Sequence, residues 1–148
     1  MKMTAFIAAL ILAGTSARAA EGLWMNNFEN ARRVAGEKDL PILVDFSGSD
    51  WCGWCMRLDQ EVFSSETFKR FAKENLVLFL ADFPARKALP QEIVDQNRVL
   101  AEMYGVQGFP TVLLLDADGK LLARTGYQAG GAQRYVQHLK GLLEENKK

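Results

Sequence analysis

The strongest constraint on this chain is an apolar strand that runs directly into two closely spaced cysteines. Residues 40–48, LPILVDFSG, are rich in Ile, Leu, Val and Phe and are bounded by a proline and a glycine, which is typical of a central strand. Cys52 and Cys55 follow in SDWCGWCMRLD. Cys55, Leu58 and Val62 are spaced as on one helical face. The sequence therefore predicts a strand–loop–helix junction with Cys52 near the helix N-terminus.

Helices and strands alternate along the rest of the chain. Apolar periodicity and capping residues predict, in order, a helix in 26–39, the strand in 40–48, the helix after Cys52, a helix in 64–75, a strand in 76–83, a helix in 88–105, a hairpin in 111–127 and a last helix around 135–143. Strands separated by helices indicate an α/β fold in which a central mixed sheet is flanked by helices. We expect the sheet to be parallel in its first part and antiparallel at the end.

The N-terminal segment has the pattern of a secretory signal. A basic start at Lys2 precedes an apolar run at 5–13 and the small-residue pattern at 17–19, which together indicate a cleavable signal. We predict a signal peptide at 1–19 and one domain at 20–148, periplasmic or secreted. The apolar run is short compared with the roughly 20 residues of a spanning helix, so we expect no membrane insertion after cleavage. An uncleaved N-terminal anchor stays open.

Composition excludes several classes of protein. The chain is 49% hydrophobic and 24% charged, and its formal net charge is zero, so the sequence is globular and offers no basic surface for a nucleic acid. It contains two cysteines, whereas small secreted disulfide scaffolds usually carry four or more. A link between neighbours three apart closes too short a loop to constrain an unfolded chain much. A purely structural staple is therefore a weak explanation.

A metal site is a second explanation for the cysteine pair. Structural zinc takes about four ligands, and the chain supplies two cysteines and one histidine, His138, far away on the last predicted helix. We expect His138 to face solvent because it lies beside the apolar stripe of that helix. We predict no metal.

Redox chemistry fits the spacing better. The partial positive charge of a helix N-terminus stabilises a thiolate, which is the reactive form of cysteine. Two intervening residues set the second sulfur about one turn on, where it can attack a mixed disulfide and release the product. We therefore predict Cys52 as an exposed nucleophile and Cys55 as a shielded resolving thiol.

Several separated segments resemble the thioredoxin superfamily. ILVDF before WCGWC is similar to the central strand and active site of that family, and YGVQGFPTVLLLDADGK is similar to its segment with a cis proline facing the cysteines. The resemblance implies a thioredoxin fold, a cis bond between Phe109 and Pro110, and a buried proton-transferring acid at Asp45. The pattern resembles exported bacterial proteins of the thioredoxin-7 type and is similar to thioredoxin domains of periplasmic thiol reductases.

The chain departs from typical thioredoxin in three places. The loop between Phe46 and Cys52 has one residue more, and the lysine that partners the family's buried acid has no counterpart in LVLFLADF. The connection after that strand, beginning FPARKALPQ at residue 83, is longer than the family minimum. Whether this connection is a docking surface or a surface elaboration stays open at this point.

The residues around the cysteines predict a substrate site. The resemblance implies that Trp51, Gly53, Trp54, Phe109 and Pro110 contact the substrate. The dipeptide inside the motif lacks the histidine of more oxidising family members, so the cation that would stabilise the nucleophilic thiolate is missing. This favours a reductant.

The sequence thus predicts an exported thiol–disulfide oxidoreductase, most simply a reductase of protein disulfides with no bound cofactor. We expect thiol or disulfide proteins as substrates, a membrane thiol relay as electron donor, and a monomer. A disulfide isomerase or oxidase is the alternative within the class. A redox-inert binding module that uses the groove between Pro110 and Trp54 is the alternative outside it.

Overall fold

The computed structural model describes residues 22–147. The predicted signal peptide lies outside the described residues, and the domain boundary at residue 20 stays a prediction. Among the helices of 22–147, none is long and apolar enough to cross a membrane.

Five strands and five α-helices make up the described chain. Their bounds are β1 (Trp24–Met25), α1 (Phe28–Lys38), β2 (Ile42–Ser47), α2 (Gly53–Leu58), α3 (Glu66–Asn75), β3 (Val77–Asp82), α4 (Gln91–Met103), β4 (Thr111–Leu115), β5 (Leu121–Thr125) and α5 (Gly131–Glu145). Capping side chains begin two of these helices as the sequence predicts, since Asn27 accepts from the N–H of Asn30 and Ser65 accepts from the N–H of Phe68. Polar caps of this kind satisfy N–H groups that lack a partner within the helix.

The strands form one mixed sheet in the order β1-β3-β2-β4-β5. β1 and β2 both run parallel to β3, whereas β4 is antiparallel to β2 and β5 is antiparallel to β4. The predicted thioredoxin fold and mixed sheet are confirmed. The sequence analysis missed β1, because a strand of two residues carries no periodic signal.

The sheet separates two apolar cores, and β2 contributes to both. Ile42, Val44 and Phe46 face the core that α1 and α4 cover, and Leu43 faces the core that α2, α3 and α5 cover. Successive strand residues point to opposite faces. Asp45 therefore lies on the face of Leu43, beneath the helix that carries the cysteines.

The helix after the cysteines is not regular. The predicted continuous helix is instead the short α2, followed by a π-helical segment at Asp59–Phe63. The predicted buried face is confirmed all the same, because Cys55, Leu58 and Val62 are all buried. Single π turns inside helices occur often at functional sites.

Candidate active site

Cys52 and Cys55 form a disulfide at the N-terminus of α2, with their Cα atoms 5.2 Å apart. Cys52 is the N-cap residue, and its Sγ accepts a hydrogen bond from the backbone N–H of Cys55 at 3.3 Å. The end of β2 and the loop 48–51 carry the chain to this point, so the predicted strand–loop–helix junction is confirmed. The N–H groups and dipole of the first turn face the sulfur that would bear charge after reduction.

The expected difference in exposure between the two cysteines is wrong for the disulfide form. Cys52 is 7% exposed and Cys55 is 5% exposed. What separates them is their surroundings: Cys52 lies between Trp51 and Trp54, whereas Cys55 lines a cavity.

That cavity, about 370 Å³, also contains the predicted buried acid. Asp45 and Cys55 both line it, together with Asp59. Asp45 is 7% exposed, and no group of the described residues donates a hydrogen bond to its Oδ1. Burial, and to a smaller extent the nearby charges of Asp59 and Asp82, together raise the pKa of Asp45 to about 7. A carboxyl with such a pKa can both accept and return a proton at neutral pH.

On the neighbouring strand β3, the residue beside Asp45 is apolar and not a lysine. Leu80 is the residue of β3 that pairs with Asp45, and it lines the cavity as well. An apolar side chain supplies no cation to favour the carboxylate, so burial dominates the pKa of Asp45. The sequence analysis missed Asp59, although its position four residues after Cys55 is a usable signal because such residues share a helix face.

On one side of Cys52, Trp51 is held by a hydrogen bond and close packing. Its Nε1–H donates to the carbonyl oxygen of Phe83 at 2.7 Å, and its ring contacts that of Phe109 edge-on at 5.9 Å. Phe83 in turn stacks on Phe109 at 5.0 Å. A Cβ atom at Gly48 would lie 2.4 Å from the Trp51 ring, so the glycine is what permits this approach. Trp51 remains 49% exposed.

On the other side, Trp54 belongs to an exposed cluster of aromatic and charged groups. Trp54 is 55% exposed and packs on Tyr127 at 5.0 Å between ring centroids. The guanidinium of Arg57 lies over both rings and donates to Glu61 at 2.6 Å. The Tyr127 hydroxyl also donates to Glu61 at 2.6 Å. These hydrogen bonds, that of Arg57 first, lower the pKa of Glu61.

The remaining predicted substrate residues lie in the same region. The peptide bond between Phe109 and Pro110 is cis, as the resemblance implied, and it immediately precedes β4. Phe109 reaches the cysteine loop through Trp51. Gly53 is exposed at the first position of α2, with open space where a Cβ would stand. Contact of these residues with substrate stays a prediction.

His138 differs from its expected position. It is half-buried rather than solvent-facing, because its Nε2 hydrogen-bonds to Oγ1 of Thr125 at 2.8 Å and its ring packs against Tyr135. Across residues 22–147, no three His, Cys, Asp or Glu side chains are close enough together to hold a metal ion.

A sequence profile of the thioredoxin-like domain matches residues 28–142. The chain belongs to the thioredoxin-like domain family. Its fold, its strand–disulfide–helix junction and its cis proline are those of a thioredoxin-like domain.

Known relatives carry the same chemistry. This thioredoxin-like chain is 36% identical over 126 residues to "Disulfide bond reductase DsbH" of Chlamydia pneumoniae, covering 85% of the chain and 76% of that relative. A solved structure of a DsbH oxidoreductase superposes with a TM-score of 0.78 at 36% identity, covering 82% of this chain and 83% of the other. The chain is also 32% identical over 112 residues to "Thiol:disulfide interchange protein DsbD" of Yersinia enterocolitica, spanning 74% of the chain but 18% of that protein. This thioredoxin-like protein is a thiol–disulfide oxidoreductase.

Proposed function

We propose that the protein is exported and reduces disulfides of other proteins through Cys52 and Cys55, with no bound cofactor. The observation that carries the proposal is the contrast around the pair: Cys52 caps a helix between two exposed tryptophans, and Cys55 shares a cavity with the neutralisable acid Asp45. Cys52 would be the nucleophile and Cys55 the resolving thiol.

The first step forms a mixed disulfide. In the reduced protein, the thiolate of Cys52 attacks one sulfur of a substrate disulfide, which breaks the substrate bond and releases one substrate thiolate. The N-terminal N–H groups of α2 stabilise the Cys52 thiolate before attack. Trp51 and Trp54 exclude water on either side and offer apolar surface to the substrate chain.

The second step releases the substrate. The carboxylate of Asp45 takes the proton of the Cys55 thiol, and the Cys55 sulfur attacks the sulfur of Cys52. The second substrate sulfur leaves as a thiolate, which takes up a proton, and the Cys52–Cys55 disulfide remains. Two electrons have passed from the protein to the substrate.

The motif and the name of one relative support the proposed direction of electron flow. The Gly53–Trp54 dipeptide places no cation beside Cys52, which favours a reducing pair. A relative that covers most of this chain bears the name disulfide bond reductase. A reductant outside the cytosol needs a dithiol donor to recharge it, and a membrane thiol relay is the partner we propose. Export rests on the signal pattern at 1–19.

Trapping the mixed disulfide tests the mechanism. In Cys55→Ser, Cys52 should still attack a substrate disulfide, but the mixed disulfide should not be resolved. Substrate proteins should therefore accumulate as covalent adducts that are seen on a non-reducing gel and disappear on a reducing gel. Cys52→Ser is the matched control and should trap far fewer. Equal trapping by the two variants would contradict the assignment of nucleophile and resolving thiol.

The reduction potential of the pair tests the direction. Equilibration in glutathione buffers should give a value near the thioredoxin range, about −270 mV. A value near or above about −180 mV would instead support an isomerase or oxidase.

A further inference from the structure

The loop before the disulfide is bonded to the long connection after β3. The carboxylate of Asp50 accepts from the backbone N–H groups of Ala85 and Arg86, at 2.8 and 2.7 Å from its two oxygens. These hydrogen bonds lower the pKa of Asp50, so the side chain is ionised at neutral pH. Asp50 precedes Cys52 by two residues, yet its partners lie 35 and 36 residues away along the chain.

A second carboxylate joins the same two segments from the other end. Asp82, the buried last residue of β3, accepts from the N–H and the hydroxyl of Ser49 at 3.0 and 2.6 Å. Lys87 closes the connection back onto Asp82 with an ion pair at 3.2 Å. The amide of Asn97, buried on α4, donates to the Asp82 carbonyl at 3.0 Å. Residues 83–87, which we term the brace segment, are therefore attached to the cysteine loop and to the body of the protein.

The brace segment also contacts Trp51 and Phe109. Its first residue, Phe83, accepts the indole hydrogen bond of Trp51 and stacks on Phe109. Phe109 belongs to the cis-proline turn. The segment thus connects the loop that carries the nucleophile to the turn that precedes β4, two regions far apart in sequence.

We propose that the brace segment sets the position of Trp51 and Phe109 for substrate binding, and that Asp50 is the positioning residue that holds it. The proposal rests on the proposed function and deepens it. It assigns a role to two of the three departures from typical thioredoxin, the extra loop residue and the longer connection, because each supplies half of one hydrogen-bonded unit.

The physical reason lies in how Asp50 is used. Both of its oxygens bond to backbone groups, so its negative charge fixes a segment of main chain. Without it, the N–H groups of Ala85 and Arg86 lose the acceptor that they have here. Phe83 keeps the bond from its own N–H to the Ser47 carbonyl, but it loses the support of the residues that follow it. Small displacements of groups that orient a substrate cost large factors in rate. A small disulfide that needs only the Cys52 sulfur would not sense the change.

The test compares Asp50→Ala, Asp50→Asn and Glu74→Ala in the full-length protein. Alanine removes both acceptor oxygens, and asparagine removes the charge but keeps one acceptor. Glu74 is an exposed acid on α3, away from the disulfide, so Glu74→Ala controls for the loss of a negative charge. Each variant is assayed for reduction of insulin, a protein disulfide, and of bis(2-hydroxyethyl) disulfide, a small one.

We expect Asp50→Ala to raise the KM for insulin about tenfold with little change in kcat. The rate with the small disulfide should stay within about twofold of wild type. Asp50→Asn should fall between wild type and Asp50→Ala, and Glu74→Ala should match wild type. A KM for insulin that is unchanged in Asp50→Ala, or an equal loss of rate with insulin and with the small disulfide, would overturn the proposal.

Two readouts test the brace without catalysis. In Asp50→Ala the indole N–H of Trp51 should lose protection from solvent exchange by NMR, and trypsin should cleave faster after Arg86 and Lys87. Unchanged exchange and cleavage would overturn the brace even if insulin kinetics changed. A wild-type protein that does not reduce insulin would instead contradict the proposed function. Indole exchange and trypsin cleavage would still show whether Asp50 holds the brace segment in place.

Discussion

Cys52 and Cys55 are almost equally buried, but the groups around them differ in kind. Behind Cys55 lies a cavity with a carboxyl whose pKa is about 7 and whose β3 neighbour is apolar. In front of Cys52 lie two half-exposed tryptophans. The comparison shows that burial alone does not distinguish a nucleophile from a resolving thiol. The residues behind Cys55 are suited to proton transfer, because they include a buried carboxyl. The residues in front of Cys52 are suited to contact with a substrate, because they form an exposed aromatic surface.

Within the front, the two tryptophans are also held differently. Trp51 is fixed by a hydrogen bond to main chain and by the absence of a side chain at Gly48. Trp54 is held by stacking on Tyr127 and by the cation of Arg57. The first arrangement depends on a directional hydrogen bond, whereas the second depends on ring stacking and a cation–π contact.

The largest change in the free energy of unfolding should come from replacing Asp45, behind Cys55. The pKa of Asp45 is about 7 in the folded protein against about 4 when unfolded. The folded state therefore binds more protons between these pH values, and its stability falls as pH rises from about 4 to about 7. Asp45→Asn should remove this loss, raising the free energy of unfolding by about 4 kcal/mol at pH 8 and little at pH 4.

Urea unfolding of the oxidised protein from pH 4 to pH 8 measures this difference. Asp118→Asn, at an exposed position in the β4–β5 turn, is the control and should show no pH-dependent gain. A gain for Asp45→Asn that is equal at both ends of the range would contradict the raised pKa. The same variant should also slow release of a trapped mixed disulfide, because Cys55 loses its proton acceptor.

Gly48→Ala should displace Trp51 from the position in which it bonds to Phe83. The added Cβ would lie 2.4 Å from Trp51, so the indole must swing toward solvent and leave the Phe83 carbonyl. We expect a loss of about 1–2 kcal/mol in the free energy of unfolding. Gly53→Ala, where no atom lies within 4 Å of the new Cβ, should change stability by less than about 0.5 kcal/mol. Thermal and urea unfolding of Gly48→Ala and Gly53→Ala measure this difference. Equal losses of stability in the two variants would contradict the close packing of Gly48 against Trp51.

A direct comparison of the tryptophans should give a smaller difference. Trp51→Phe keeps a ring but removes the N–H that bonds to Phe83, and should destabilise by about 1 kcal/mol. Trp54→Phe keeps a ring that can stack on Tyr127 and should cost less than about 0.5 kcal/mol. Urea unfolding of both variants measures the gap, and equal losses would mean that the two indoles are held alike.

The parts of this fold that sequence predicts well are those specified by neighbouring residues. The helix caps at Asn27 and Ser65, the buried strand around Asp45 and the face of Cys55 all follow from local periodicity and hydrogen-bonding chemistry. The cis bond at Pro110 was predicted through family resemblance, because most prolines are trans and local sequence does not set the isomer.

The parts that sequence did not predict are set by distant partners. Nothing near Asp50 shows that its carboxylate bonds to the backbone of residues 85 and 86, since that pairing exists only once β3 lies beside β2. Tyr127 is missed for the same reason, because it meets Trp54 only when the segment after β5 folds back over α2. A charged residue at the end of an apolar strand, such as Asp82, was a usable signal.

The smallest prediction concerns the charged groups around Trp54. Hydrogen bonds from Arg57 and then Tyr127 lower the pKa of Glu61. Tyr127→Phe should therefore raise that pKa while leaving it below the ordinary value, and Arg57→Gln should raise it further because it removes the larger cause. Carbon-13 NMR titration of the Glu61 carboxyl measures both. If Tyr127→Phe shifted it more than Arg57→Gln, the hydroxyl rather than the cation would be the main partner of Glu61. Trp54 would then depend on the Tyr127 ring and hydroxyl more than on the Arg57 cation, and the contrast between a hydrogen-bonded Trp51 and a cation-held Trp54 would be weaker.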